Sequence, residues 1–216
     1  MTCTRPDLAC PLSVLSRFVG PGRHRPVHWT AAVRVAKYLA TTSGMGLVLG
    51  GTRPVELTGH CDSSYADDVE TQRSTQSYCF SLGAGAVSSR STRSSSVASS
   101  SAEAEIYADA MAAQELHWLT FLLADLGERS HTAPTLFADN KAIILLCSEP
   151  RLETRVKHID VRYFLIRELQ RRDQVRLDFV ASEANTADIF TKALALGDHH
   201  RLCVQLGLVE AGPRLL

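Results

Sequence analysis

The sequence predicts an α/β protein: a five-stranded mixed sheet with flanking helices, preceded by a short helical appendage. Three observations predict it. After Gly46 the chain breaks into short β-favouring runs, GLVLG, VELTGHCDSS, YCFSLG and GAVSSRST, punctuated by Gly, Ser and Asp, and three antiparallel strands are the economical reading. From Ser100 to about Leu126 the spacing of Ile106, Ala110, Ala113, Leu116 or His117, Leu119 or Thr120 and Leu123 marks one long helix that stops at Gly127. Beyond it TLFAD and VRLDFV read as strands separated by helical stretches, so crossovers make them parallel to the first. Such an order brings the strand holding Asp62 beside the one ending at Asp139.

The remaining elements follow from local signals. In TRPDLACPLSVLSRFV, Pro6 and Asp7 occupy helix-start positions, and Leu8, Leu12, Leu15 and Val19 form one helical face. After the breaker GPGRHRP, a second helix places Trp29, Val33, Ala36 and Leu39 or Ala40 on one side before Gly44 stops it. A short helix is expected from Asn140 and a charged one around Val161 to Arg172. Helical pieces at Thr186 to Leu194 and about His199 to Leu206 finish the chain. The Ser-rich SSRSTRSSSVASSS sits between strand and helix, as a turn and cap.

Composition narrows the function classes. Lys+Arg and Asp+Glu both number 23, so the chain lacks the global basic charge that holds nucleic acid unaided, and any polynucleotide contact must be local. The six cysteines contain no CxxC pair, which fits neither a zinc site nor the disulfide lattice of a small secreted domain, and they are expected as free thiols. No apolar run approaches the roughly 20 residues of a membrane helix. Leu8 to Leu15 is a poor signal-peptide core because Asp7 and Pro11 interrupt it.

Four acids fall where this fold gathers side chains: Asp62 in the first core strand, Glu103 in the first turn of the long helix, Asp139 at a strand end and Asp188 before a late helix. Clustered carboxylates repel and need cations. Magnesium suits them, because its octahedron takes hard oxygen ligands, waters and a substrate phosphate, and two such ions serve phosphodiester hydrolysis. Each acid also has a structural reading: Glu103 closes a capping box with Ser100, Asp139 caps a following helix, Asp62 serves a strand-end turn, and Asp188 lies at the surface of a turn.

Nearly throughout, the chain resembles the end of a copia-type retrotransposon Pol polyprotein. TRPDLACPLSVLSRF, HW, AVRVAKYL and GLVLG resemble the connection that follows the reverse transcriptase. GHCDSSYADDVETQRSTQSYCFSLGAGAVSSRS resembles the first ribonuclease H strands, SSAEAEIYA the start of the long helix, LFADNKAII the third motif, KHIDVRYFLIRE a basic helix, and ANTADIFTKAL the last motif. The resemblance implies a ribonuclease H-like domain over 46–195, a helical remnant of the connection at 1–45 and a C-terminal helical tail at 196–216. It implies Asp62, Glu103, Asp139 and Asp188 as the catalytic acids and ligands of two Mg2+ ions, with Mn2+ as a substitute. Glu105, two positions on, is expected on another side of the helix. The implied activity is hydrolysis of RNA in RNA·DNA hybrids, with a cytoplasmic or nuclear location.

Within that resemblance, Arg155, Lys157, His158 and Arg162 are expected to contact nucleic acid, from a stretch between Arg151 and Arg176 with eight basic residues against four acids. A solvated helix face is the alternative for the basic residues, and a structural histidine for His158. YADD, Tyr65 to Asp68, has the form of a polymerase motif but lacks apolar strands on both sides, and is read as coincidental. Ser89 and Ser99 depart from the family pattern, which has a tryptophan and an apolar residue there. If both sites are buried, that loss costs a few kcal/mol. Two other outcomes stay open: an inactive relic, or a repurposed non-enzymatic effector that is secreted into host cells, where it binds a host protein and suppresses cell death. Fragments resembling this one are catalogued as secreted RxLR-type effectors of oomycete plant pathogens.

Overall fold

The computed structural model of the chain describes residues 4–50, 56–128, 132–141, 144–145 and 161–210. Three consecutive strands, β2 (Leu57–Ser64), β3 (Thr75–Leu82) and β4 (Gly85–Arg93), pair antiparallel, as the short β-favouring runs predict. The long helix α3 (Ser101–Asp125) then carries the chain across the sheet to β5 (Thr135–Ala138), which lies parallel to β2. A second helix, α4 (Val161–Arg171), leads to β6 (Arg176–Phe179), parallel to β5. The sheet order is β4-β3-β2-β5-β6, so β2 sits centrally with an antiparallel neighbour on one side and a parallel one on the other.

Helix α3 starts where its cap dictates, since the Ser100 hydroxyl accepts from the Glu103 amide at 3.2 Å. Its apolar stripe of Ile106, Ala110, Ala113, Leu116 and Leu119 lies in one core with Phe80, Leu136, Ile166 and Leu177 from the sheet and α4. Phe80, Leu116, Leu136 and Ile166 are fully buried there. Ser89 is only half-buried and Ser99 exposed, so neither departure from the family pattern opens a hole in this core.

A second core ties both ends of the chain to the far side of β3 and β4. Ala9, Cys79, Ala86, Ile189, Phe190, Leu202, Cys203, Leu206 and Leu208 form it, with Met45 and Leu47 against its edge. Its N-terminal part is a 3-10 turn (Pro6–Leu8) running into α1 (Ala9–Ser16), followed by α2 (Pro26–Thr41). Asp7 joins these pieces, taking bonds from two of the Arg5 side-chain nitrogens and, at 2.7 Å, from the Tyr38 hydroxyl of α2. The face expected for α2 holds in part: Val33 and Leu39 are half-buried, whereas Ala36 is exposed and Trp29 is 74% exposed, and Ala32 and Val35 join the half-buried side.

Two further expectations change. The C-terminal stretch is not purely helical, because after α5 (Leu196–Gln205) its strand β7 (Leu208–Glu210) pairs antiparallel with β1 (Met45–Leu47), which GLVLG overlaps. The expected helix at Thr186 to Leu194 is a 3-10 turn of five residues, Thr186–Phe190. The short helix expected from Asn140 lies largely outside the described residues, as do Arg155, Lys157 and His158. Cys10, Cys61, Cys79 and Cys203 are free thiols, in line with the cysteine pattern. No described helix is long and apolar enough to cross a membrane.

Asp67 and Asp68 of YADD brace the β2–β3 connection. Asp68 pairs with Arg17 of the appendage at 3.1 Å and with Arg93 of β4 at 2.6 Å, while Asp67 accepts from the amide and hydroxyl of Thr75. That is a structural role, as the flanking sequence indicated.

Gly207 is the tightest point of the second core. Its φ of +83° turns the chain from α5 into β7, and a Cβ there would lie 2.8 Å from the Gly85 Cα and 2.9 Å from the Ala84 carbonyl oxygen. Both obstacles are backbone. Gly207→Ala is therefore expected to lower stability by about 1–3 kcal/mol, read as a shift in the denaturant midpoint.

Candidate metal centre

Strand pairing fixes the first two acids. In the parallel register of β2 and β5, His60 lies opposite Phe137. Asp62 and Asp139 each stand two residues further on, so the two-residue period sends both side chains to the same side. The third carboxylate comes from α3. Oxygens of Asp62, Glu105 and Asp139 all lie within 4.8 Å of one another.

This corrects the expected helix phase, because Glu105 rather than Glu103 faces the strands. Glu103 is spent on its own helix end: its carboxylate accepts from the amide of Ser99 at 2.6 Å, from the Ser99 hydroxyl, and from the Tyr107 hydroxyl at 2.5 Å. Those bonds, from Ser99 first and then Tyr107, hold its pKa below the usual range. Glu105 lies on the same helix side as fully buried Asp109, Ala112 and Leu116, at steps of four, seven and eleven residues.

The environment of the cluster is costly to charge. Burial, and then the charges of Asp62, Asp109 and Asp139, push the Glu105 carboxyl up to about 9. Asp62 is 1% exposed and rises to about 6, chiefly by burial, with Lys192 and a bond from Thr191 pulling the other way. Beneath them Asp109 rises to about 7, again through burial. It accepts from the Cys61 thiol at 3.0 Å, and its other oxygen has no hydrogen-bond partner.

Asp188 reaches the cluster by another route. Its 3-10 turn is pinned to the sheet by the Ser77 hydroxyl on the Ala187 carbonyl at 3.0 Å and the Ser91 hydroxyl on the Phe190 carbonyl at 2.6 Å. Buried Asn185 opens the turn: its amide donates to the Cys61 carbonyl at 2.9 Å, and its oxygen accepts from the Ala187 amide. Directly after the turn, the Thr191 hydroxyl donates to Asp62. The Lys192 ammonium lies 2.8 Å from Asp188 and 3.3 Å from Asp62, bridging the two acids. On the β5 side, the Ser182 hydroxyl donates to Asp139 at 3.0 Å.

A divalent cation fits this donor set. Three carboxylates from three elements converge, two of them at positions where burial opposes ionisation, and the oxygen-only chemistry is that of a hard cation. Lys192, Thr191 and Asn185 were not singled out in the sequence, and Glu105 was named there but set aside as facing another way. Glu105 had a signal, since Asp109 repeats its acid one turn on and Ala112 and Leu116 continue the same buried side. Of the residues expected on nucleic acid, Arg162 is described: its guanidinium stacks over the Tyr107 ring at 4.2 Å, next to Glu103.

Comparison with known proteins follows the same line. The chain is 34% identical over 207 residues to the retrovirus-related Pol polyprotein from transposon TNT 1-94 of Nicotiana tabacum, covering 95% of this chain and 15% of that protein. It is 44% identical over 120 residues to secreted RxLR effector protein 161 of Plasmopara viticola, covering 56% of this chain and 83% of that one. The chain belongs to the copia-type retrotransposon Pol family. This Pol-family chain spans about a seventh of the TNT 1-94 polyprotein. Its five-stranded mixed sheet with flanking helices has the α/β architecture that the sequence predicts. Among solved structures, LC11-RNase H1 in complex with an RNA/DNA hybrid aligns at a TM-score of 0.43 and 11% identity, over 63% of this chain and 94% of that one. No protein-family model matches the chain.

The raised pKa of Glu105 sets a pH dependence for the metal-free protein. The folded state keeps a proton that the unfolded chain releases near 4.5, so this stabilisation is complete below about 4.5 and is lost as pH rises toward about 9. In chelator, Glu105→Gln is expected to flatten the fall in stability across that window and to raise the melting temperature at the alkaline end, as thermal melts across the pH range would show.

Proposed function

We propose that this domain hydrolyses the RNA strand of RNA·DNA hybrids, using a divalent cation held by Asp62, Glu105 and Asp139. The observation that carries the reading is the convergence of those three carboxylates at the end of the parallel strand pair. Magnesium is the cation the donors suit, and when bound it supplies activation of water and neutralisation of charge at the scissile phosphate. The protein's own part is preorganisation. Thr191 fixes one oxygen of Asp62, Ser182 fixes Asp139, and Asn185 locks the turn bearing Asp188 against the back of β2. Burial of Glu105 leaves its carboxylate poorly solvated and favours its pairing with the cation.

The surface beside the centre suits a polyanion. Arg162 stacked on Tyr107 places a guanidinium near the start of α3, and Lys192, beside Asp62, is partly exposed. Selection of RNA would rest on 2′-hydroxyl contacts across the minor groove. Glu103 acts in this scheme as a helix cap and a brace for Tyr107, not as a ligand.

A second reading has its own support, the 44% identity with a protein named as a secreted RxLR effector. In that reading the domain is a binding module acting on a host protein, and the acids are retained for folding alone.

Cleavage of a labelled hybrid separates the two. Under the nuclease reading, Asp62→Asn and Glu105→Gln each lower the Mg2+-dependent rate on the order of 100-fold or more, while Glu103→Gln stays within a few-fold of the parent. Absence of cleavage by the folded parent protein, with Mg2+ or Mn2+, would favour the binding module.

A further inference from the structure

The acids of this centre divide into two halves that meet at Asp62. On one side are Glu105 and Asp139. On the other is Asp188, and the space between it and Asp62 holds the Lys192 ammonium, 2.8 Å from the one carboxylate and 3.3 Å from the other. Those are direct ion-pair distances to both partners. A divalent ion bridging Asp62 and Asp188 would have to enter the space the ammonium fills, against its positive charge.

The lysine is held for this role by its backbone. It directly follows Thr191, whose hydroxyl is bonded to Asp62, and the preceding turn is clamped by Ser77, Ser91 and Asn185. A tethered ammonium therefore meets these carboxylates at a high effective concentration and competes with free ions. Its side chain keeps 38% of its exposure, and its flexible stem lets the head leave without unfolding anything. Its charge also offsets that of Asp62 and Asp188 when no metal is bound, in a place where unpaired buried charge is expensive.

We propose that Lys192 is a built-in occupant of the Asp62–Asp188 half of the centre, so that the substrate-free protein takes one divalent ion, at Asp62, Glu105 and Asp139. A second ion enters only when the ammonium is displaced, and an arriving phosphate is the anion that draws it away. This inference rests on the metal-centre reading above and revises the ion count expected from the family resemblance. Lys192 is here a positioning residue, acting through the occupancy of two carboxylates.

Manganese binding without nucleic acid tests it, with stoichiometry read by calorimetry and by the loss of the free-ion paramagnetic resonance signal. The parent protein is expected to bind one ion. Lys192→Met, with Lys192→Gln as a second neutral variant, is expected to bind two, and Lys192→Arg, which restores a cation, to return to one. Circular dichroism in saturating Mn2+ identifies which neutral variant is folded and can be counted. Two ions in the parent, or one in both neutral variants, would overturn the proposal while leaving the centre intact, provided Glu105→Gln still abolishes binding. Binding that is unchanged by Glu105→Gln, or absent altogether, would overturn the metal centre and this proposal with it.

Discussion

Converging carboxylates, Asp62 and Glu105 where water is scarce and half-buried Asp139 beside them, impose the constraint on which the rest of this structure depends. Asp62 and Asp109 are almost wholly buried, and the charges of both bear on Glu105. Ionising all of them without a cation is opposed twice, by lost hydration and by mutual repulsion. The protein answers with protons, with one lysine and with hydroxyl donors from Thr191 and Ser182. The arrangement is stable only if charge can be supplied from outside or suppressed from within, and a divalent ion does the former.

The fold converts that local demand into architecture. A parallel neighbour for β2 is needed to set Asp139 beside Asp62, and α3 must pack against the same strands to deliver Glu105. The fourth acid arrives from the far end of the chain, on a short turn with little stability of its own. Its position is guaranteed by the second core, where Ile189 and Phe190 of that turn pack with Leu202, Leu206 and Leu208 of the C-terminal elements. The β1–β7 ribbon closes this core from both ends: the Val48 amide bonds to Gly207 and the Ala86 amide to Leu206. The helical appendage contributes through Ala9 in the same cluster and through the Arg17–Asp68 pair. The appendage and tail thus bear on the geometry of the metal centre, although they contribute no residue to it.

Much of this was legible in the sequence because the signals were local and redundant. The capped start of α3 at Ser100, its stop before Gly127, the short strands and their order all follow from period and punctuation. Asp62 and Asp139 were legible for the same reason, since strand ends in a parallel pair fix direction. Glu103 misled because both glutamates lie in the first turns of α3 and differ only in phase. Two residues correspond to roughly 200° around a helix, so the choice needs the buried side of the whole helix. The capping-box reading already gave Glu103 a local use, and its carboxylate has one, on Ser99 and Tyr107 rather than on Ser100. The β1–β7 pairing was not legible, because it joins segments over 160 residues apart with three-residue strands that carry no period. Lys192 gave no sign either: a lysine four residues after an acid reads as a helical surface pair, and its second partner comes from the opposite end of the domain.

The central claim is that Asp62, Glu105 and Asp139, and not Glu103, hold a divalent ion. Locating Mn2+ by anomalous diffraction in a crystal of the protein tests it most directly. The account predicts a single strong peak within about 2.0–2.3 Å of an oxygen from each of the three carboxylates, in the distance range of small hard cations. A peak on Glu103, or no peak among these three acids at saturating Mn2+, would contradict it.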